Sequence, residues 1–287
     1  MSIIYKIFPF LKQDAEEYPS EKAVKKDTNY GRFSDLKGIE HDSKFITRWN
    51  TEEGRRRILE SKFNYSFFHL AHTYQSQISP FHASIACMVN VLNALRLDRG
   101  VVPDSKEQSY KLFDRDTGDI REHNFNVYTQ KTLLDFDTDI VKFRKDVIPE
   151  IHDEVAYVDF KFFDPGLSLV QVKQILEIYK CKVEMNYAND DIKRGAETFV
   201  DQIKECLVSN ERYVIANFNS GNLGMLPGGH YGVIAAYHQK SNSVLVLDSA
   251  AHETPWFWVS VDALYNAMNS DAREGRRRGY LIVEDKV

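Results

Sequence analysis

From Ala83 to Leu95 the apolar positions Ile85, Ala86, Met88, Val89, Leu92 and Leu95 recur at helical spacing, and little polar surface is left between them. A helix apolar on most of its circumference belongs at the centre of a fold. Leu169, Val172, Leu176 and Tyr179 repeat the helical period, with Ser168 placed to cap the first turn. Glu197–Leu207 reads as a second amphipathic helix. The period then changes. "RYVIANF", "HYGVIAAYH", "SVLVLDSA" and "RGYLIVE" are short β-branched and aromatic runs bounded by turn residues, which predicts strands. Helices first and strands later predict an α+β fold, with a helical half packed against an antiparallel sheet. Residues 100–150 are polar and charged and predict helical pieces joined by loops. Residues 11–48 are charged and weakly periodic, with turn signals in "DTNYGRFSD" and "DLKG". The expected organisation is an N-terminal extension over 1–48, wrapped on the surface or partly mobile, and one domain over 49–287.

Composition narrows the partners. A net charge of −5 gives no electrostatic footprint for nucleic acid. The runs Arg55–Arg57 and Arg276–Arg278 read as solvated faces before they read as ligand sites. Three cysteines, Cys87, Cys181 and Cys206, show neither a metal-ligand spacing nor an even framework, which suits a reducing compartment and predicts no protein metal site. The opening "MSIIYKIFPFLK" lacks the features of a signal peptide, and no run reaches the length of a membrane span. The expected location is therefore cytoplasmic, with export by a non-classical route left open. The oligomeric state stays open, a dimer included.

The candidate chemistry begins at "GGHYGVIAAYHQKSNSVLVLDSA". His230 starts one predicted strand and Asp248 ends the next, with a turn near "QKSN". An antiparallel hairpin there brings both to one end, where cross-strand Cβ atoms lie about 5 Å apart and diagonal ones about 7–8 Å. A carboxylate so placed is expected to take the imidazole Nδ1–H and leave Nε2 as the base. Gly228 and Gly229 let a backbone or ligand come close to His230. Upstream, Gln77 precedes the start of the buried helix. A side-chain amide beside a helix N-terminus can donate to a developing oxyanion, and a cysteine in that first turn would be acidified. The position that would hold it is Ala83.

Glutamine, helix start, histidine and aspartate in this order resemble papain-like cysteine transferases and hydrolases. More specifically, the chain from about Trp49 onward resembles the phytochelatin synthases, the glutathione γ-glutamylcysteinyltransferases. "WNTEEGRRRILES" looks like the family's lead-in, and "QISPFHASIACMVNVLNAL" is similar to its Q-x-x-x-x-x-C-G-x-A-S followed by "VLNAL". "GGHYGVIAAYH", "VLVLDSA", "PWFWV", "LYNAMN" and "RRGYLIV" follow in family order. The resemblance implies a papain-like cysteine protease fold. It implies Gln77 as the oxyanion-hole residue, Ala83 at the nucleophile position, His230 as general base and acid, and Asp248 as its orienting carboxylate. It implies Asn217 and Gly229 in the acyl pocket, and Asp271 with Arg278 at the substrate's glutamyl end. The substrate implied is glutathione or a related peptide. No tightly bound cofactor is implied, and a divalent zinc or cadmium ion would arrive as the substrate's thiolate complex.

Departures from the family pattern bear on that substrate. The glycine after the nucleophile is Ser84, the arginine ahead of the catalytic histidine is Ser220, and a basic pair after the aspartate is Ala251 and Glu253. Lost cations weaken the fit to a peptide with two carboxylates and turn attention to protein substrates. The segment before the hairpin is longer than in short bacterial members and could cover the cleft or dock a larger substrate. Three explanations of Ala83 compete: an engineered Cys→Ala change, a natural pseudoenzyme that binds without turnover, and transfer of the nucleophile role to Cys87. His82, beside the site, reads as a pocket wall.

Overall fold

The structure is a computed structural model that describes residues 44–101, 109–124, 127–135, 137–147, 150–152, 155–157, 166–272 and 275–286. Most of the expected N-terminal extension lies outside the described residues. Its last three residues do not stand apart: Ile46–Arg48 form β1, which pairs with Phe257–Ser260 (β10).

Two helices follow that the apolar pattern did not announce. Glu52–Glu60 (α1) is capped by Thr51, whose Oγ1 accepts the Gly54 N–H at 3.0 Å, and it carries Glu52 and Glu53 in its first turn, where the helix dipole favours them. Tyr65–Thr73 (α2) is the second. The buried helix is present over Ala83–Arg96 (α3), and every residue of it is buried. The Ser168-capped helix spans Leu169–Ile178 (here α5), with Gln171 completing a reciprocal capping box. The amphipathic helix is longer than expected, Ile192–Cys206 (α6), because Asp191 caps it upstream by accepting the Arg194 N–H.

Between α3 and α5, two hairpins replace much of the expected helix. Ser109–Phe113 (β2) pairs with Ile120–Asn124 (β3), and Glu150–His152 (β4) with Val155–Tyr157 (β5). The helical content of the described part is a turn over Leu97–Arg99 that follows α3, a turn over Thr138–Ile140 and Arg144–Val147 (α4). The reason for the first hairpin is local. Asp114 Oδ1 accepts the N–H groups of Asp116 and Thr117, and Gly118 sits at φ 75°, so "DRDTGD" closes as a turn.

The remaining strands are Cys181–Tyr187 (β6), Arg212–Asn219 (β7), Gly229–His238 (β8), Ser243–Asp248 (β9) and Gly279–Asp285 (β11). They form one antiparallel sheet in the order β1-β10-β9-β8-β7-β11-β6. The fold is α+β as expected, but helices cover both faces of the sheet. Tyr213 and Ile215 point into the core shared with α3 and α5. Val214, Ala216 and Phe218, alternating with them, point into the core shared with α6 and Val261–Met268 (α7). Burying both faces is why these strands read as continuous apolar runs.

Candidate active site

Strands β8 and β9 place the first pair. The "QKSN" turn is a helical turn over Gln239–Ser241 closed by Asn242 at φ 43°. The register sets Gly232 opposite Asp248, so His230 lies one diagonal step from the aspartate. His230 Nε2 is 2.6 Å from Asp248 Oδ1. This corrects the expected use of Nδ1. A diagonal neighbour stands farther off than a directly opposed one, and only the far end of the ring spans the gap. Nδ1 is thus the nitrogen turned away from the carboxylate. The Phe218 ring meets the imidazole edge-on at 5.6 Å.

Asp248 is fully buried. Its Oδ1 also accepts the Ala250 N–H at 2.8 Å, which fixes the carboxylate across the strand end. Burial is the largest influence on His230 and opposes its charge, but the charge and hydrogen bond of Asp248, with the charge of Glu253, raise its pKa above the usual histidine value. The pair therefore favours an imidazolium when a proton is available.

The loop before α3 is tied to the same strand end. The Gln77 N–H donates to Ser249 O at 2.9 Å, and the Tyr74 hydroxyl donates to Asp248 O at 2.6 Å. The Ser249 hydroxyl donates to Gln77 Oε1 at 3.1 Å, so the amide oxygen is engaged and the NH₂ is the end able to donate. Ala83 opens α3, which packs on β8, and is 9% exposed. The N-cap residue, His82, makes no side-chain cap bond, so the first-turn N–H groups are not claimed by it. Such a terminus stabilises an anion. His82 is itself buried, neither ring nitrogen has a hydrogen-bond partner, and burial lowers its pKa to about 4. Ser84 is buried in the same first turn.

A second group adjoins the His230 backbone. Asn217 Nδ2 donates to His230 O at 3.0 Å, and Asn217 Oδ1 accepts from Arg278 Nη1 at 3.4 Å. Gly229 lets the guanidinium come close: a Cβ there would lie 2.6 Å from Arg278 Nη1, and that side-chain end would have to shift. Arg278 Nη2 also donates to the backbone carbonyl of Asp271 at 3.4 Å. Asn217, Gly229, Asp271 and Arg278 thus form one cluster. Ser220 does different work. Its hydroxyl donates to the carbonyls of Leu226 and Gly228, closing the loop that leads into His230. Tyr74 and Ser249 were not legible in the sequence, since their roles arise from contacts across the fold.

Cys87 is 1% exposed, and burial, with the nearby Asp248 charge, drives its pKa well above the ordinary thiol value. It stays a core thiol. Among the described residues no cluster of three histidine, cysteine or acidic side chains could hold a metal, and no helix is long and apolar enough to cross a membrane.

The chain is similar to known proteins over most of its length. Glutathione gamma-glutamylcysteinyltransferase 3 of Lotus japonicus is 25% identical over 218 residues, 76% of this chain and 37% of that protein. Glutathione gamma-glutamylcysteinyltransferase 1 of Arabidopsis thaliana is 24% identical over 76% of this chain and 36% of its own length. The glutathione gamma-glutamylcysteinyltransferase of Schizosaccharomyces pombe is 20% identical over 79% of this chain and 45% of its own. The chain thus spans about two fifths of the length of the relatives it matches. The profile of the phytochelatin synthase family matches residues 42–280, and the chain belongs to that family.

Proposed function

We propose that this domain is built as a papain-like cysteine acyltransferase or hydrolase of the phytochelatin synthase type, acting on glutathione or a related peptide amide. The observation that carries the reading is the 2.6 Å His230–Asp248 contact, on a fully buried carboxylate, with Gln77 pinned to the adjoining Ser249. With alanine at position 83 there is no nucleophile, and the chain as it stands binds without turnover.

With cysteine at 83, a thiolate would attack the substrate carbonyl carbon. The Gln77 amide and the α3 first-turn N–H groups would hold the oxyanion. His230 would give its proton to the leaving amine, and the C–N bond would break to leave a thioester. Water or the amine of a second peptide would then resolve it. Arg278, beside Asn217 and Gly229, is suited to a substrate carboxylate. A divalent ion would enter as a thiolate complex of the substrate. A protein substrate is the alternative that Ser220 supports, since its hydroxyl is spent on the loop and supplies no cation.

The test is mass spectrometry of Ala83→Cys protein incubated with glutathione, with and without zinc. The expected result is an acyl adduct on residue 83 with release of glycine. A folded protein that forms no adduct with glutathione or larger peptides would overturn the reading.

A further inference from the structure

Gln130 belongs to the long polar segment between α3 and α5, yet it is buried. Its Oε1 accepts the Ile78 N–H at 3.1 Å, and its Nε2 donates to the Ser76 carbonyl at 2.7 Å. One side chain thereby brackets Gln77 from both sides, as a neighbouring strand would. Two other buried amides repeat the device. Asn90 takes the Gln75 N–H at 2.7 Å and gives to Gln75 O at 3.3 Å. Asn93 takes the Tyr128 N–H at 2.8 Å and gives to Tyr128 O at 3.0 Å. Gln75 Nε2 in turn donates to Tyr128 O at 3.1 Å. Asn93 thus fixes the main chain at Tyr128, two residues before Gln130, and Gln130 holds the two peptide groups that flank Gln77. The loop it holds has no regular structure between Tyr74 and Ser79, so side chains must supply the bonds that a ladder would give.

We infer that Gln130 is a positioning residue for Gln77, fixing the donor that the proposed function assigns to the oxyanion. The inference rests on that reading for its chemical meaning and on the bracket for its geometry. An oxyanion donor acts by being in place before charge develops, so loosening its backbone costs rate rather than ground-state affinity.

In Ala83→Cys protein acting on glutathione, Gln130→Met is expected to lower kcat about ten-fold with KM changed less than about two-fold. Adding Gln130→Met to Gln77→Ala is expected to cost nothing further. Independent, multiplicative losses would overturn the inference, because they would mean that Gln130 acts only through the fold. If the parent shows no turnover, that result counts against the proposed function, and positioning is read separately by amide hydrogen exchange on the Ala83 protein. Ile78 loses its own acceptor in Gln130→Met, so the informative proton is that of Gln77, bonded to Ser249. Its exchange is expected to rise about ten-fold while α3 is unchanged. Unchanged exchange at Gln77, or equal acceleration throughout α3, would overturn the inference.

Discussion

The two ends of α3 are equally buried and oppositely provided for. At the rear, Arg96 Nη2 meets Asp285 Oδ1 at 2.9 Å, Nη1 donates to the Tyr128 hydroxyl, and the Tyr179 carbonyl accepts a further N–H. Asn90 and Asn93 are likewise satisfied. At the front, both nitrogens of His82 and Oδ2 of Asp248 are buried without a partner. A buried group left without its hydrogen bond costs about 1–3 kcal/mol, so the front end gives up stability that the rear end keeps. The difference separates a helix end whose buried polar groups are paired from an end beside which some are not.

That contrast can be broken from either side. The largest effect is expected at the rear. Arg96→Ala would remove the guanidinium that faces the buried Asp285 carboxylate and cost about 3–5 kcal/mol in urea denaturation. A loss near zero would remove the distinction between the ends. The next effect is a pH slope at the front. Above about pH 6.5 His82 is neutral in both states. As pH falls through that value the unfolded chain takes a proton that the folded one refuses until about 4, so stability drops across this window, by about 3 kcal/mol in all. His82→Phe should remove that contribution, so the stability difference between the two proteins should change by about 3 kcal/mol in thermal unfolding followed from pH 7 to 4. The smallest effect is at neutral pH, where His82→Phe replaces an orphaned imidazole by an apolar ring of similar size and should gain about 1 kcal/mol. A loss there would show that the nitrogens have partners.

Much of this was legible because its signals are local. The all-round apolar run gave α3, Ser168 and its period gave α5, and the β-branched runs around "QKSN" gave the β8–β9 hairpin. Strands β6 and β10 were not foreseen. Lys182 and Glu184 alternate with buried positions in β6, as suits an edge strand, and β10 is only four residues long. Chain order placed Gln77, His230 and Asp248 in one site, but not the ring nitrogen that faces the carboxylate, which depends on a one-step diagonal in the register. Gln130 carries no periodic or motif signal, because its partners are backbone groups about fifty residues away.

The most direct measurement is the pH dependence of iodoacetamide alkylation of Ala83→Cys protein, compared with the same protein carrying His230→Ala. It needs no knowledge of the substrate. The His230–Asp248 pair and the α3 N-terminus predict an apparent thiol pKa at least about one unit below the ordinary value of about 8.5, and a rise toward that value without His230. A thiol that titrates at or above 8.5 with His230 in place would contradict the assignment of this helix end as a nucleophile site.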